Sequence, residues 1–230
     1  MNIMAEIELP FIAINFKTYP QATGERAVLL AQICEKVSKE YGVTTVACPQ
    51  VPDLYRVSRA VDIPVFSQHM DPGEPGRFTG HVIGETIVDA GCSGTLLNHS
   101  EHRMQLADIE AAIRKAESLQ LYTIVCTNNP LVSMAAASLN PNAIAVEPPE
   151  LIGTGISVSQ SRPEVITGTV DVIRAVNKEV TILCGAGIST GQDVESAVKL
   201  GSQGVLLASA VAKSDKPEDV LRGLVEPLRK

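Results

Sequence analysis

The sequence predicts an α/β fold, a (β/α)8 barrel of eight parallel strands with surrounding helices, as a single domain over residues 1–230. Eight short apolar runs recur about every 28 residues, a spacing that suits one strand, one helix and two short loops. The runs are continuously apolar, as in strands buried on both faces, and no tight hairpin dipeptide joins them. An open doubly wound sheet is the alternative, but the even spacing and the lack of G-x-G-x-x-G after the first run favour the barrel.

The eight predicted strands share this apolar or β-branched character. They are Phe11–Asn15, Thr44–Ala47, Pro64–Ser67, Gly94–Leu97, Leu121–Cys126, Ala143–Val146, Thr181–Cys184 and Gly204–Leu207. In a parallel barrel the carboxyl ends of the strands form the working face, so the residues that follow each run are the candidates for function.

Helical patterns lie between the strands. The first helix has an apolar stripe from Ala27 to Tyr41, with Thr23 as the predicted cap and Gly42 as the stop. A second stripe runs from Ile109 to Leu119, and Thr190 caps a further helix that ends at Gly201. Pro163 and Pro217 suit the first turns of two more helices. The segments Val51–Ala60 and His81–Ala90 have the weakest helical pattern.

Composition excludes several classes of protein. The net charge is −7, without a run of basic residues, so neither nucleic acid nor an anionic membrane surface is an expected partner. Five scattered cysteines without a C-x-x-C pair argue against disulfides and a zinc site, and fit a reducing, cytoplasmic location. The apolar runs are too short to span a bilayer and the N-terminus does not read as a signal peptide.

The first strand ends in Asn15-Phe16-Lys17, which places an amide and an ammonium on the same side of an extended chain. A point cation at the mouth of a barrel suits a phosphate or a developing oxyanion. A solvated surface lysine beside a strand-ending asparagine is the alternative. Gln68 follows the third strand and is a further polar candidate at this face.

The fourth strand is followed by Asn98-His99-Ser100-Glu101-His102-Arg103, which resembles the opening of a short helix. Backbone N–H groups that point at His99 would disfavour its charged form, and a neutral imidazole can donate to a carbonyl oxygen. Glu101 is expected to pair with Arg103 or Lys17. A capping and ion-pairing cluster without chemistry is the alternative.

Glu147 closes the sixth strand and precedes a segment that begins Pro148-Pro149 and contains Gly153 and Gly155. A carboxylate at a barrel strand end, under a loop with a stiff start and a glycine-jointed far end, suits a general base under a lid. The alternative is an ordinary turn. Cys126 ends the fifth strand without an adjacent base in the sequence, and is read as a buried structural thiol.

The last two strands run into the small residues Gly185-Ala186-Gly187 and Ala208-Ser209. Small residues let backbone amides approach a ligand, and the loops after strands seven and eight form the usual phosphate site of a barrel. The pattern predicts a phosphorylated ligand rather than a particular reaction. Glycines that serve only turn geometry are the alternative.

Together these motifs, in this order over nearly the whole chain, resemble the triosephosphate isomerase family. The quoted segments are Asn15-x-Lys17, Ser67-Gln68, Gly76–Gly80, Asn98–Arg103, Glu147–Gly155, Gly185–Gly187 and Ala208-Ser209. The short chain is similar to the archaeal branch, which implies a homo-oligomer, with a tetramer favoured over a dimer. Three features depart from the family pattern: the chain has no tryptophan for the lid, Cys184–Gly187 replaces Tyr-Gly-Gly-Ser, and Ala208-Ser209 replaces Gly-Gly after the eighth strand.

The resemblance implies cofactor-free, metal-free interconversion of dihydroxyacetone phosphate and glyceraldehyde 3-phosphate. By position, Glu147 would be the base and His99 the neutral electrophile, while Lys17 and Asn15 would hold the substrate and stabilise the enediolate. The implied contacts with substrate or phosphate further include Phe16, Ile152, Gly153, Gly187, Ala208 and Ser209. Glu101, Gln68 and Ser100 would support the catalytic residues from behind.

Two rivals remain at this point. Another phosphate-binding barrel, such as a phosphosugar isomerase, aldolase or synthase, would share the last two turns but would not need Lys17, His99 and Glu147 together. A catalytically silent barrel, used as a scaffold or metabolite sensor, would be expected to have lost the base, yet Glu147 is present.

Overall fold

The computed structural model describes residues 7–148 and 163–229. Strands β1 to β8 span Phe11–Asn15, Thr44–Cys48, Phe66–Ser67, Gly94–Leu97, Tyr122–Thr127, Ala143–Val146, Thr181–Cys184 and Gly204–Leu207. Helices α1 to α9 of the described ranges span Glu25–Tyr41, Leu54–Ser58, Gly84–Asp89, Leu106–Ser118, Pro130–Ala137, Pro163–Val176, Gly191–Lys199, Ser209–Ala212 and Pro217–Val225. Short 3-10 turns occupy Pro20–Ala22, Val51–Asp53 and Glu226–Leu228. In these ranges no helix has both the length and the apolar character needed to cross a membrane.

The eight strands form one parallel sheet in the order β2-β1-β8-β7-β6-β5-β4-β3. A parallel bridge between Ala47 and Val65, with the Ala47 N–H donating to Pro64 O at 3.0 Å, joins the two ends of this order. The sheet therefore curls into a ring, and the predicted (β/α)8 barrel is confirmed.

Side chains alternate between the inside of the ring and the layer under the helices, as the two-residue period of a strand requires. The inner cluster includes Phe11 and Tyr122, whose rings meet edge to face across the barrel with centroids 6.4 Å apart. Along β1 and β6 the inward positions are Phe11, Ala13, Ala143 and Ala145. The next inward positions along these two strands lie beyond the apolar interior, at the carboxyl ends of the strands.

Most predicted element ends agree with the structure, with local exceptions. Thr190 and Asp193 form a capping box on α7, and Gly42 ends α1 with a left-handed φ of 66°. The predicted Thr23 cap is wrong, because the Thr23 hydroxyl donates to Tyr19 O at 2.9 Å and Gly24 precedes the helix instead.

Strand bounds differ by a residue or two. Leu121 is not in β5, because its N–H donates to Ala116 O at 2.9 Å and closes the end of α4. β3 has only two residues, since Pro64 and Val65 make the closing bridge rather than a ladder. β2 extends one residue further than predicted, to Cys48.

Candidate active site

One pocket at the carboxyl ends of the strands brings together residues from distant parts of the sequence. It is lined by Asn15 at the end of β1, Lys17 after it, His99 after β4, Glu147 after β6, and the turns after β7 and β8. The pocket therefore lies at the predicted face of the barrel. Asn15, Lys17 and Glu147 continue the inward alternation of β1 and β6, whereas His99 is one position out of the alternation of β4 and follows the positive φ of Asn98.

Lys17 follows Asn15 in a left-handed conformation, with φ of 47°, and its N–H donates to the Asn15 side-chain oxygen at 2.9 Å. Its ammonium donates to Glu101 Oε1 at 2.9 Å, so of the two expected partners of Glu101, Arg103 and Lys17, the structure shows Lys17. The Gln68 amide donates to Lys17 O at 3.0 Å and to Cys48 O at 2.9 Å. Backbone and side chain of Lys17 are thus both held in place.

His99 is buried and its protonation is fixed by its neighbours. Burial, with Lys17 and Arg103 nearby, lowers the pKa of His99 to about 4. The Glu101 N–H donates to Nδ1 at 3.2 Å, so the neutral ring carries its proton on Nε2. The predicted helix opening is absent here: residues 98–105 form a turn, with the His102 N–H donating to His99 O at 2.8 Å.

Glu147 is the second buried titratable group of the pocket, with 4% of its surface exposed. Burial raises the pKa of Glu147 to about 7, against the opposing pull of Cys126 and Lys17. Its Oε1 lies 3.6 Å from His99 Nε2, and its Oε2 has no hydrogen-bond partner in the described part of the chain. At this separation a small molecule placed in the pocket would be within reach of both groups.

Two residues that sequence reasoning did not assign to the base lie against it. The Cys126 thiol lies beside the Glu147 carboxylate, and burial raises the pKa of this thiol, so it stays protonated. A Cβ at Gly185 would lie 2.5 Å from Glu147 Cγ. The two-residue period of β5 could have shown from the sequence that Cys126 points into the barrel. Its proximity to Glu147, and that of Gly185, also depends on which strands are neighbours in the sheet.

The turn after β7 is tightly braced. Gly187 has a left-handed φ of 70°, and the carboxylate of Asp193 accepts from the N–H groups of Ser189 at 3.0 Å and Thr190 at 2.8 Å. After β8, Ala208 and Ser209 line the same pocket at the start of the four-residue helix α8. The two predicted phosphate turns therefore face one space.

The remaining predicted residues are placed differently. Phe16 is fully buried, packs outside the ring in the layer under the helices and donates its N–H to Cys48 O at 3.0 Å, so its side chain is not in the pocket. Ser100 is half-buried in the turn after His99. Ile152 and Gly153 lie outside the described residues.

Nearly the whole chain is similar to known proteins of one family. The family model described as triosephosphate isomerase matches residues 10–224. The triosephosphate isomerase of Methanothermobacter thermautotrophicus is 54% identical over 97% of this chain and 99% of its own length. That of Methanocaldococcus jannaschii is 54% identical over 94% of this chain and 98% of its own, and that of Methanosarcina acetivorans is 51% identical over 94% and 97%.

Proposed function

Given that the chain belongs to the triosephosphate isomerase family, we propose that the pocket at the barrel mouth carries out the reaction of that family with Glu147 as its base. The reaction is the interconversion of dihydroxyacetone phosphate and glyceraldehyde 3-phosphate, a step of glycolysis and gluconeogenesis. The observation that carries the proposal is the buried pair of Glu147 Oε1 and His99 Nε2, 3.6 Å apart, with Lys17 in the same pocket.

The residue roles are those established for the family. Glu147 takes a proton from the substrate carbon beside the carbonyl, and the electron pair moves onto the carbonyl oxygen to give an enediolate. His99 Nε2–H donates to that oxygen, and the Lys17 ammonium stabilises its charge together with Asn15. Glu147 then returns the proton to the neighbouring carbon, while the hydroxyl proton of the enediolate passes from one oxygen to the other and the carbonyl forms on the adjacent carbon. The two isomers therefore interconvert without an external reductant or oxidant.

The protonation states of Glu147 and His99 fit the roles proposed for them. With a pKa of about 7, Glu147 is a strong enough base to accept a carbon-bound proton and is still ionised in about half of the molecules at neutral pH. With a pKa of about 4, His99 remains neutral and keeps the proton that it donates. Glu101 holds Lys17, Gln68 holds its backbone, and the buried Phe16 anchors the segment between Asn15 and Lys17.

The phosphate is proposed to bind to backbone groups at Gly187, Ala208 and Ser209, with Ile152 and Gly153 from the segment after Glu147. Small residues at the first three positions leave the backbone accessible, and the braced turn after β7 presents it in one conformation. Ser100 supports the turn that carries His99 and Glu101.

The experiment is a cofactor-free assay of glyceraldehyde 3-phosphate isomerisation by wild-type protein and Glu147→Gln, with the surface variant Glu110→Gln as the matched control. Loss of the base is expected to lower kcat by about 10²–10⁴-fold, because the amide cannot accept the proton. Inhibition by glycerol 3-phosphate, which shares the phosphate, is expected to persist in all three proteins. Near-normal turnover in Glu147→Gln would overturn the assignment of the base, and an inactive wild type would point to another phosphate-binding barrel.

The proposal also covers the domain organisation, the cellular location and the oligomeric state of the protein. The chain works as one domain, since the ring uses strands from residue 11 to residue 207. It is cytoplasmic, in keeping with five cysteines that are all free and buried. It forms a homotetramer, supported by helix α5, which has no charged residue and exposes Leu131, Val132 and Met134.

A further inference from the structure

Asn98 is a buried polar residue that the reaction scheme above does not use. It directly follows β4 and precedes His99, and its backbone has a left-handed φ of 58°. For residues other than glycine this conformation is uncommon, although asparagine adopts it more readily than most. The positive φ breaks the strand geometry at the residue before His99 and so sets the direction in which the His99 turn leaves β4.

The Asn98 side chain is fully engaged between two elements. Its Nδ2 donates to Cys126 O at 2.9 Å, across to the neighbouring strand β5. Its Oδ1 accepts from the Met104 N–H at 2.9 Å, at the far end of the turn that contains His99. The backbone oxygen of Asn98 accepts from Arg103 Nη1 at 3.1 Å, which closes the same turn from the other side.

We propose that Asn98 is a positioning residue that clamps both ends of the His99 turn to β5, and thereby fixes the imidazole relative to Glu147. The expected effect on kcat rests on the proposed function, because the position of His99 affects turnover only if His99 takes part in the reaction. A geometric link supports it: the carbonyl that Asn98 binds belongs to Cys126, which pairs with Ala145 and so lies beside the next inward position, Glu147. The Asn98 side chain therefore connects the turn that carries His99 to the strand that lies beside Glu147.

The test is Asn98→Gly, which accepts the left-handed conformation but removes the amide. Asn140→Gly is a matched control, because Asn140 also has a left-handed φ, of 59°, and its side-chain oxygen accepts from Asn177 at 2.9 Å. Asn140 precedes β6 and so lies at the opposite end of the barrel from the pocket. Asn98→Asp is the second variant, because it keeps the acceptor for Met104 but replaces the donor to Cys126 O with a carboxylate oxygen, which repels that carbonyl.

Two readouts separate positioning from general stability. In Asn98→Gly, kcat is expected to fall about 10–100-fold with KM changed less than about threefold, since misplacement by about 1 Å is costly in rate. Asn98→Asp is expected to lower kcat in the same direction, and Asn140→Gly to leave kcat unchanged. By ¹⁵N NMR, the His99 ring of the wild type is expected to stay neutral with the proton on Nε2 down to pH 5. In Asn98→Gly the ring, released from its buried setting, should titrate at higher pH.

The inference is overturned if Asn98→Gly keeps the wild-type kcat and the wild-type His99 NMR titration. It is also overturned if Asn98→Gly loses only thermal stability, as a purely structural role would predict. An inactive wild type would instead refute the proposed function, while the His99 titration would still test the clamp.

Discussion

At the scale of single residues, Gly185 limits where the candidate base can lie. An added Cβ would lie 2.5 Å from Glu147 Cγ and 3.1 Å from Val146 O, and the backbone at Val146 has little room to yield inside the barrel wall. We therefore expect Gly185→Ala to displace the Glu147 carboxylate and to lower kcat by roughly 10–100-fold.

The control for this prediction is Gly223→Ala in α9, where an added Cβ meets nothing within 4 Å. That variant should keep its kcat and gain slightly in stability from the helix propensity of alanine. Steady-state kinetics on both variants make the comparison. An unchanged kcat in Gly185→Ala would show that the carboxylate does not need this space.

The buried charge of Glu147 also makes stability depend on pH. Its pKa rises from an ordinary 4.5 to about 7 on folding, so the folded state holds a proton between these values that the unfolded state has released. Stability from this group is therefore full below pH 4.5 and is lost as the pH rises to 7. At pH 8 the folded protein keeps a charge in a poorly hydrated place.

Glu147→Gln removes this titration. We expect the variant to raise Tm at pH 8 by roughly 6–12 °C, since the raised pKa of Glu147 costs about 3 kcal/mol at that pH and each kcal/mol moves the Tm of a chain of this size by about 2–4 °C. At pH 5 the wild-type carboxyl is mostly protonated, so the difference should be small. Calorimetric scans of both proteins at the two pH values provide the measurement. An equal change in Tm at both values would contradict a raised pKa.

At the scale of the elements, the sequence predicts strands better than the turns that follow them. Apolar runs specify strands because burial on both faces leaves few alternatives, and seven of the eight observed strands keep most of their predicted residues. The turn after β4 was predicted as a helix opening, but its conformation depends on Asn98 bonding to β5, a contact that no local pattern reveals. The Thr23 cap was wrong for a local reason instead, since its hydroxyl donates to Tyr19 O, four residues earlier.

The candidate site also has a part that local sequence predicts and a part that it does not. Asn15, Lys17, His99 and Glu147 are predictable because each follows an apolar run, and the barrel brings such positions together. The contacts of Cys126 and Gly185 with Glu147 are not, because they depend on the pairing of β5, β6 and β7. In that pairing Cys126 lies opposite Ala145, and Val146 lies opposite Cys184.

At the scale of the whole molecule, the proposed homotetramer makes a prediction about helix α5. Leu131 is 71% exposed on a helix without a charged residue, so burying it against another copy would remove apolar surface from water. We expect light scattering on the wild type to give about four times the 24.4 kDa of one chain. Leu131→Glu should lower this mass, because a charge in an apolar interface is costly.

Leu29→Glu is the control, since Leu29 is also exposed, at 59%, but lies on α1 among charged residues. It should keep the wild-type mass. A wild type that stays at the mass of one chain at micromolar concentration would refute the tetramer.

The central claim is that Glu147 moves a carbon-bound proton through an enediolate. The most direct measurement is isomerisation of glyceraldehyde 3-phosphate in D₂O, with the product analysed by ¹H NMR. A carboxyl group that holds the proton between two carbons can exchange it with solvent, so a fraction of the dihydroxyacetone phosphate should carry one deuterium on the carbon that receives the proton. Glu147→Gln should form this product at least about 10²-fold more slowly. Rapid turnover that places no solvent deuterium in the product, or that survives in Glu147→Gln, would contradict the account.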